Sequence, residues 1–241
     1  MTPQHFSVLI IVGRPAAGKS EVIDFLKKID PQERLRRFHI GEFEEIDDFR
    51  FVWETFEVDD ILTKHGRPRL WTDEKYWFKE HFIWNLYIER INLEYRKKLA
   101  QDADYHARKT TLIEFARGGE DGIHEALRYL DEGILHRAAL IYIKVSFEES
   151  VRKNRRRAQK GKEDSILYHS LPDEKMEFYY KVNDWGKLTA GDASYVNVRG
   201  IKLPYAAFEN EPEKTLDPKL IGEELERVTG ILWLKGGRGV E

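Results

Sequence analysis

The chain has 241 residues, 41% of them hydrophobic, and 40 basic and 43 acidic side chains give it a formal net charge of −3. This length and composition allow one large α/β domain with a substantial core and exclude a disordered chain. Because there is no cysteine, disulfides and thiolate zinc sites are excluded, and the near balance of charge gives no overall attraction to nucleic acid.

The sequence lacks the patterns that direct a chain into or across a membrane. No basic region precedes the short apolar run at 6–12, and no small-residue cleavage site follows it, so a signal peptide is not expected. No apolar stretch approaches the ~20 residues needed to span a bilayer. We therefore expect a cytoplasmic protein with no membrane partner.

Strand and helix patterns alternate from the start of the chain. Residues 6–12, FSVLIIV, are a short apolar run rich in β-branched residues, which predicts a buried parallel strand. Apolar residues at helical spacing follow over 21–29, and Asp30-Pro31 is interpreted as the end of that helix. Residues 36–43 are a weaker strand candidate, and an acidic stretch follows them.

The middle of the chain continues this alternation. An unusually aromatic apolar face predicts a single long helix over 73–99. TTLIEFA at 110–116 predicts a third strand, 121–135 a helix interrupted at Gly133, and AALIYIKV at 138–145 a fourth strand.

The last third opens with a helix that has a defined start. The Ser146 hydroxyl and Glu149, three residues later, form a capping box. This helix continues through VRKNRRRAQKGK at 151–162, which is strongly basic. SYVNV at 194–198 predicts a fifth strand, and a last amphipathic helix is predicted from Pro218.

Five strands that alternate with helices predict a three-layer α/β fold in which helices cover both faces of a parallel sheet. The region from about 50 to 105 is too long for a simple crossover, and it predicts a helical insertion on the substrate side. No internal repeat or low-complexity linker divides the chain. Residues 1–241 are therefore expected to form a single domain.

The most specific motif is GRPAAGKS, which matches the Walker A pattern G-x-x-x-x-G-K-S/T. Glycines let the backbone curl so that its N–H groups, and the positive end of the following helix, point at phosphate oxygens. The lysine of this motif reaches the β- and γ-phosphates, and its hydroxyl ligates Mg²⁺. The residues expected to hold the nucleotide are Gly13, Ala16, Ala17, Gly18, Lys19, Ser20 and Glu21.

Three further segments strengthen this interpretation: TLIEFARGG at 111–119, IYIKVSFEESVRKNRRR at 141–157, and the loop that follows YVNV. Together with GRPAAGKS they resemble the P-loop kinase group, the branch of P-loop proteins that is similar to nucleoside and nucleotide kinases. The resemblance implies a P-loop NTPase fold with a five-stranded parallel sheet in the order 2-3-1-4-5 and ATP with Mg²⁺ as phosphoryl donor. It also implies a basic lid at about 150–185.

Acidic residues at predicted strand ends are candidates for metal binding and acceptor activation. Glu114 lies where the third strand ends, the edge at which ligands bind in open α/β sheets, and with Ser20 it is expected to hold Mg²⁺ or orient the nucleophile. In the run 41–49, Asp47 is the first choice for accepting the proton of the attacking hydroxyl, with Glu42 and Glu44 next. Each of these carboxylates has a plainer interpretation, as one half of an ion pair or as part of a solvated acidic face.

Arginines are the candidate phosphate ligands outside the loop. Arg117 is expected to contact the acceptor or its phosphate. On the basic helix, Arg152 is expected to bind the nucleotide, and Arg155 and Arg156 to neutralise charge in the transition state, because forked guanidiniums match phosphate oxygens. Helical spacing places these three on one face and directs Arg157 elsewhere. A solvated basic face is the alternative.

Weaker candidates complete the site. Arg199, Gly200 and Pro204, in the loop after the fifth strand, are expected to frame the adenine, although a plain loop explains them equally well. The eight histidines show no ligand spacing that predicts a metal other than Mg²⁺. An aromatic set on the 73–99 helix is interpreted mostly as core, with one or two rings available to stack on an acceptor: Trp77, Phe78, Phe82, Trp84 and Tyr87.

The sequence therefore predicts an ATP-dependent phosphotransferase that acts on a small acceptor, nucleoside- or nucleotide-like. Two alternatives stay open: a nucleotide-dependent NTPase or sensor that binds nucleic acid through the basic helix 152–162, and a polynucleotide-end kinase. The identity of the acceptor, and which carboxylate of 42–48 activates it, are left open by the sequence.

Overall fold

The computed structural model describes residues 4–157 and 170–236. Within these ranges six strands form one sheet in the order β2-β3-β1-β4-β6-β5. The strands are β1 (Val8–Gly13), β2 (Glu42–Asp47), β3 (Lys109–Phe115), β4 (Ala138–Lys144), β5 (Tyr195–Val198) and β6 (Ile201–Glu209). The helices are α1 (Lys19–Lys28), α2 (Pro31–Phe38), α3 (Asp48–Lys64), α4 (Ile83–Gln101), α5 (Tyr105–Arg108), α6 (Gly122–Tyr129), α7 (Glu132–Leu135), α8 (Phe147–Arg157), α9 (Asp173–Tyr180), α10 (Trp185–Thr189) and α11 (Pro218–Leu234).

The sheet separates two hydrophobic cores because side chains alternate along each strand. On β1, Val8, Ile10 and Val12 face the core formed with α3, α4 and α6, whereas Leu9 and Ile11 face the core formed with α1 and α11. All five of these side chains are fully buried. The predicted three-layer α/β arrangement is confirmed, and it places the carboxyl ends of β1 to β4 at one edge.

The far side of the sheet differs from the prediction. The first four strands follow the predicted order 2-3-1-4, but the predicted fifth strand, 194–198, is the antiparallel edge strand β5. The next parallel position belongs to β6, so the predicted five-stranded parallel sheet is wrong. Pro204 made β6 difficult to predict from the sequence, since proline lacks the N–H group that hydrogen bonds between strands require. It is accommodated because pairing with β4 begins one residue later, at Tyr205.

The segment 36–43 is also assigned differently. Asp30-Pro31 does follow the end of α1, but it opens α2, with proline in the first turn and the Asp30 carboxylate accepting two backbone N–H groups. Residues up to Phe38 are therefore helical, and the strand begins only at Glu42. An Asp-Pro pair is a start signal as well as a stop signal.

The predicted long helix over 73–99 begins late, at Ile83. The Asp73 carboxylate accepts the backbone N–H groups of Lys75 and Trp77, and Thr72 pairs with Phe78 in an isolated bridge. These local hydrogen bonds compete with helix formation. The region from about 50 to 105 consequently holds α3, a folded loop and α4.

Two local predictions are corrected in part. The 121–135 helix is divided at Leu130, whose backbone is extended, and Gly133 lies inside the short α7. The Ser146 hydroxyl accepts the N–H of Glu149 as predicted, but the N–H of Ser146 donates to Glu211 instead of Glu149. None of the helices described is both long and apolar enough to cross a membrane.

Candidate active site

The motif GRPAAGKS forms the turn between β1 and α1. Two of its residues have positive φ angles, +54° at Ala16 and +118° at Gly18. A Cβ atom on Gly18 would lie 2.6 Å from Nδ2 of Asn210, and that amide donates to the carbonyl of Ala17. Only glycine fits this position, and the curled loop leads directly into the first turn of α1 at Lys19.

Neighbouring elements fix this loop in place. The Arg14 guanidinium donates to the carbonyls of Val145, Tyr180 and Lys181. The Ser150 hydroxyl of α8 donates to the carbonyl of Pro15 at 2.7 Å. The basic helix and the end of α9 are therefore attached to the phosphate loop itself, a role for Arg14 that no sequence pattern indicated.

Glu114 meets the loop at the end of β3. Its Oε1 accepts a hydrogen bond from the Ser20 hydroxyl at 3.2 Å and lies 3.8 Å from the Lys19 ammonium. Burial raises the pKa of Glu114 above its ordinary value, although Lys19 and Ser20 oppose the shift. A hydroxyl and a carboxylate side by side are hard oxygen donors, the kind of ligand that Mg²⁺ takes together with water and phosphate oxygens.

These two oxygens are a partial cation site. Among the residues that the structure describes, no group of three or more acidic, histidine or cysteine side chains has an arrangement that would hold a metal ion. Mg²⁺ commonly keeps most of its water and binds one or two protein groups plus substrate phosphates. Ser20 and Glu114 therefore fit a cation that arrives with a nucleotide.

Asp47 lies beside Glu114, since the two residues are partners across β2 and β3. Its Oδ1 accepts the backbone N–H of Phe49 at 2.9 Å and so caps α3. Burial, together with repulsion from Glu114 and Asp48, raises the pKa of Asp47 to about 8. A carboxylate with a pKa near the working pH is suited to general acid–base chemistry.

The other acidic candidates of this run lie elsewhere. Glu42 begins β2, opposite Lys109 at the start of β3, and is therefore at the edge of the sheet away from the phosphate loop. Glu44 forms ion pairs with Lys98 and Lys109. The structure brings Asp47 to the loop and leaves Glu42 and Glu44 out, because only the end of β2 reaches that edge.

Arg117 forms a buried ion pair with Asp48. Its guanidinium also donates to the carbonyls of Ala116 and Trp84 and lies 5.1 Å from the centre of the Trp84 ring. Arg117 is thus at the site as predicted, but its charge is already neutralised. Asp48, which the sequence analysis did not single out, is the partner responsible.

A cavity of about 1020 Å³ joins these groups. Its floor is the phosphate loop and the ends of β2 and β3; its walls are α3, the 75–78 loop, α8 and residues 170–180. It is large enough for a second small molecule beside a bound nucleotide. The predicted site residues that line it are Ala16, Lys19, Ser20, Glu21, Asp47, Glu114, Arg117 and Arg156.

The basic helix α8 presents a different face to this cavity from the one predicted. Lys153, Arg156 and Arg157 line the cavity, at the spacing of one helix face. Arg155 is exposed and pairs with Asp173 outside the cavity lining, so the structure does not bring it to the site. Arg157, expected to point elsewhere, lies on the cavity face.

Carboxylates hold the cations of this helix. Glu213 accepts hydrogen bonds from both terminal nitrogens of Arg156, and this interaction holds the pKa of Glu213 at about 2. Arg152 bonds to Glu149 and Glu213 and does not line the cavity. Each of the four arginines in the described part of α8 is therefore paired, and residues 158–162 of the predicted basic helix, like 158–169 of the predicted lid, lie outside the described residues.

Lys153 is the cation that the sequence analysis missed. Its side chain is 3% exposed, and its ammonium lies 3.4 Å from Oε1 of Glu213 without meeting hydrogen-bond geometry to any described atom. Burial lowers the pKa of Lys153, an effect that Glu213 opposes. A buried ammonium that lacks hydrogen bonds is costly, and an anionic ligand would satisfy it. Its position three residues before Arg156 was the only available signal.

Arg199 lies away from the phosphate loop. It sits in the tight turn from β5 to β6 with φ of +53°, and its guanidinium donates to the carbonyl of Leu130. Because β6 runs parallel to β1, this turn is at the opposite edge of the sheet. The segment after β6 reaches the loop instead, where Asn210 bonds to Ala17. Gly200 lies in the same turn as Arg199, and Pro204 lies within β6.

No protein-family model and no curated protein matches this sequence. Among solved structures, the chain is similar to one described as the crystal structure of APE1195, with 14% identity and a TM-score of 0.41, over 95% of this chain and 99% of that one. It is also similar to shikimate kinase from Acinetobacter baumannii in complex with shikimate, with 16% identity and a TM-score of 0.37, over 78% of each chain. At these values neither likeness carries a conclusion about function.

Proposed function

We propose that this protein is an ATP-dependent phosphotransferase that moves the γ-phosphoryl group to a hydroxyl of a small acceptor. One observation carries the proposal: the phosphate loop, the Ser20–Glu114 pair and Asp47 meet at the floor of one cavity. The resemblance of GRPAAGKS, TLIEFARGG and IYIKVSFEESVRKNRRR to segments of P-loop kinases points in the same direction. Each group has a distinct task in phosphoryl transfer.

The donor half consists of the loop and the cavity face of α8. The Lys19 ammonium donates to the carbonyls of Gly13 and Arg14, and phosphate oxygens would replace these partners. Lys153, whose ammonium has no hydrogen-bond partner among the described atoms, faces the same space from α8 and would share the phosphate charge. Mg²⁺, held by Ser20 and Glu114, would neutralise charge on the β- and γ-phosphates.

The acceptor half is organised by Asp47. The acceptor oxygen attacks the γ-phosphorus, the bond to the bridging oxygen of ADP breaks, and the hydroxyl proton passes to the Asp47 carboxylate. Because burial and neighbouring carboxylates raise the pKa of Asp47 to about 8, this group holds that proton more readily than an exposed aspartate. The same shift keeps most of the population protonated at pH 7, so the proton-accepting carboxylate is the minor form there.

The nucleic-acid hypotheses have less support. A protein that follows a phosphate backbone needs cations free to release counterions. The described arginines of α8 are all engaged by carboxylates of this chain. A nucleic-acid-binding NTPase and a polynucleotide-end kinase therefore stay as hypotheses that rest on the sequence of 152–162.

The test is acceptor-stimulated release of ADP from ATP·Mg²⁺, screened over nucleosides, nucleotides, sugars and oligonucleotides. We expect at least one small acceptor to stimulate release in the wild type and none in Lys19→Ala. Asp47→Asn should bind ATP with wild-type affinity and lose roughly 10²-fold or more in kcat, the scale of a general base.

Two outcomes would contradict the proposal. Full activity in Asp47→Asn would remove the acceptor half. Stimulation by oligonucleotides alone, with affinity that falls steeply as salt rises, would instead favour the nucleic-acid alternatives.

A further inference from the structure

Beyond Asp47, the wall of the cavity is a stripe of α3. Asp47 caps this helix, and the side chains that follow it into the cavity recur at three- and four-residue spacing, so they share one helix face. Three of them are aromatic. The stripe is Phe49, Val52, Trp53, Phe56, Glu57 and Asp60.

Aromatic rings from other elements complete this part of the cavity. Phe78 stacks on Phe56 with centroids 5.7 Å apart and meets the Trp84 ring edge-on at 4.8 Å. Trp84 in turn contacts Tyr179 at 5.5 Å. These rings are only half-buried although they line the cavity, unlike Tyr87, which is 1% exposed in the core. Half-buried rings around a space next to the phosphate loop provide stacking surfaces for a flat ligand.

Two of the cations on this side are occupied, whereas Lys75 of the 75–78 loop is exposed and forms no ion pair within the described part of the chain. Arg117 is neutralised by the buried Asp48. The Lys175 ammonium donates to the carbonyls of Lys75 and Tyr76 and is 6% exposed. A phosphate on the acceptor would therefore meet Lys75 as a single solvated point charge, without the forked pairing that a free arginine provides.

The carboxylates on this side are largely balanced as well. Asp60 forms an ion pair with Arg69 and accepts a hydrogen bond from the Tyr76 hydroxyl. Glu45, at the margin, pairs with Lys27 at 2.8 Å. Glu57 and Lys75 are exposed charges of opposite sign in this part of the lining, so no excess of positive charge beside the rings would favour a phosphorylated acceptor.

We infer that the acceptor is an uncharged alcohol with a flat aromatic or heteroaromatic ring, and that acceptors already carrying a phosphate are rejected. The ring lies against the aromatic wall that Trp53 and Trp84 form beside the stacked Phe56–Phe78 pair, and the hydroxyl lies toward Asp47. The role of this compound as acceptor rests on the phosphotransferase function proposed above. The ring site itself is independent of that function.

The probes are the four common ribonucleosides and their 3′- and 5′-monophosphates, with glucose and choline as neutral and cationic alcohols that lack an aromatic ring. Each 3′-monophosphate keeps the 5′-hydroxyl of its nucleoside and adds a charged phosphate group at the 3′ position. Binding is measured by calorimetry and by quenching of tryptophan fluorescence in the wild type. We expect at least one nucleoside to bind saturably and its monophosphates at least about 10-fold more weakly.

Variants of the wall provide the second arm. Trp53→Ala should weaken nucleoside binding by about 10-fold or more, the scale of one lost stacking partner, while the affinity for ATP·Mg²⁺ stays unchanged. Trp53→Phe keeps a ring and should restore most of the binding. Trp71→Ala is the matched control, because Trp71 is exposed and lies outside the cavity lining.

Three results would overturn the inference. The first is a monophosphate that binds as tightly as its nucleoside, and the second is binding of choline or glucose in place of the nucleosides. The third is no binding of any nucleoside at millimolar concentration. The proposed function fails separately. If a nucleoside binds at the Trp53 wall but receives no phosphate from ATP, the ring site stands and the phosphotransferase does not.

Discussion

At the scale of single residues, Asp47 combines an observed structural task with the chemical one proposed for it. Its carboxylate caps α3 through the N–H of Phe49, and the same group lies beside Glu114 across neighbouring strands. The resulting pKa of about 8 has a consequence for stability. The pKa of an aspartate in an unfolded chain is ~3.9. At pH values between this pKa and the folded-state pKa of about 8, the folded state therefore binds more protons than the unfolded state. Stability contributed by this group therefore falls as the pH rises through that window.

Asp47→Asn removes this titration and keeps the cap, because asparagine caps helices as well as aspartate does. We expect the variant to be more stable than the wild type at pH 8, with the difference in Tm shrinking toward pH 5. The rise should be a few degrees, at roughly 2–4 °C for each kcal/mol in a domain of this size. Thermal unfolding at both pH values measures it, and Asp24→Asn, at an exposed aspartate of α1, is the control. A variant that is less stable at pH 8 would show that Asp47 is ionised and stabilising.

Whether the role of a single residue could be predicted depends on how far along the chain its contact partner lies. Lys19 and Ser20 were predicted because the motif fixes their spacing, and Asp47 because the P-loop kinases that the sequence resembles often take a carboxylate from the segment after the second strand. Asn210 was not, since the residue whose carbonyl it binds, Ala17, lies 193 positions away. Asp48 was missed for a similar reason, because the buried pair that it forms with Arg117 spans 69 positions.

At the scale of elements, the orientation of α8 determines which of its cations face the cavity. Lys153, Arg156 and Arg157 face the cavity, whereas Arg155 pairs with Asp173 in solvent. The sequence predicted the helix and its start at Ser146 but selected the wrong face. Helical spacing gives the directions of side chains relative to one another. Which face points into the cavity is set by contacts with the rest of the fold, such as the hydrogen bond from Ser150 to Pro15.

Strands followed the same rule. Apolar runs without interruption were located to within about two residues, whereas β6 was missed because of Pro204. The predicted helix over 73–99 failed over its first ten residues because Asp73 binds backbone N–H groups locally, a choice that apolar spacing does not reveal.

The two faces of α8 can be compared in one helix. Lys153→Met should lower kcat/KM for ATP by roughly 10²-fold, the scale of one lost electrostatic donor. It should not unfold the protein, since Glu213 keeps Arg152 and Arg156. Arg155→Met is the matched control and should change little, because exposed ion pairs contribute ~0–1 kcal/mol. Steady-state kinetics and Tm for both variants test this. A large kinetic loss in Arg155→Met, with Lys153→Met unaffected, would restore the face that the sequence favoured.

At the scale of the whole molecule, the site is assembled from distant parts of the chain. β1, β2 and β3 supply the loop and two carboxylates, α8 supplies cations, and the segment after β6 closes the side of the loop through Asn210. A nucleotide that contacts several of these elements binds the folded state alone. Binding should therefore stabilise the entire fold and not one local segment.

ATP·Mg²⁺ at 100 times its dissociation constant should stabilise the wild type by about 2.7 kcal/mol, which corresponds to a rise in Tm of roughly 5–10 °C. Lys19→Ala should lose most of this rise while keeping a wild-type Tm without nucleotide. Arg199→Ala should keep the full rise, because Arg199 lies in the turn at the opposite edge of the sheet and bonds to Leu130. Differential scanning calorimetry with and without nucleotide distinguishes these cases. An equal rise in Lys19→Ala would place the nucleotide outside the phosphate loop, and a rise lost in Arg199→Ala would return the adenine to the loop after β5.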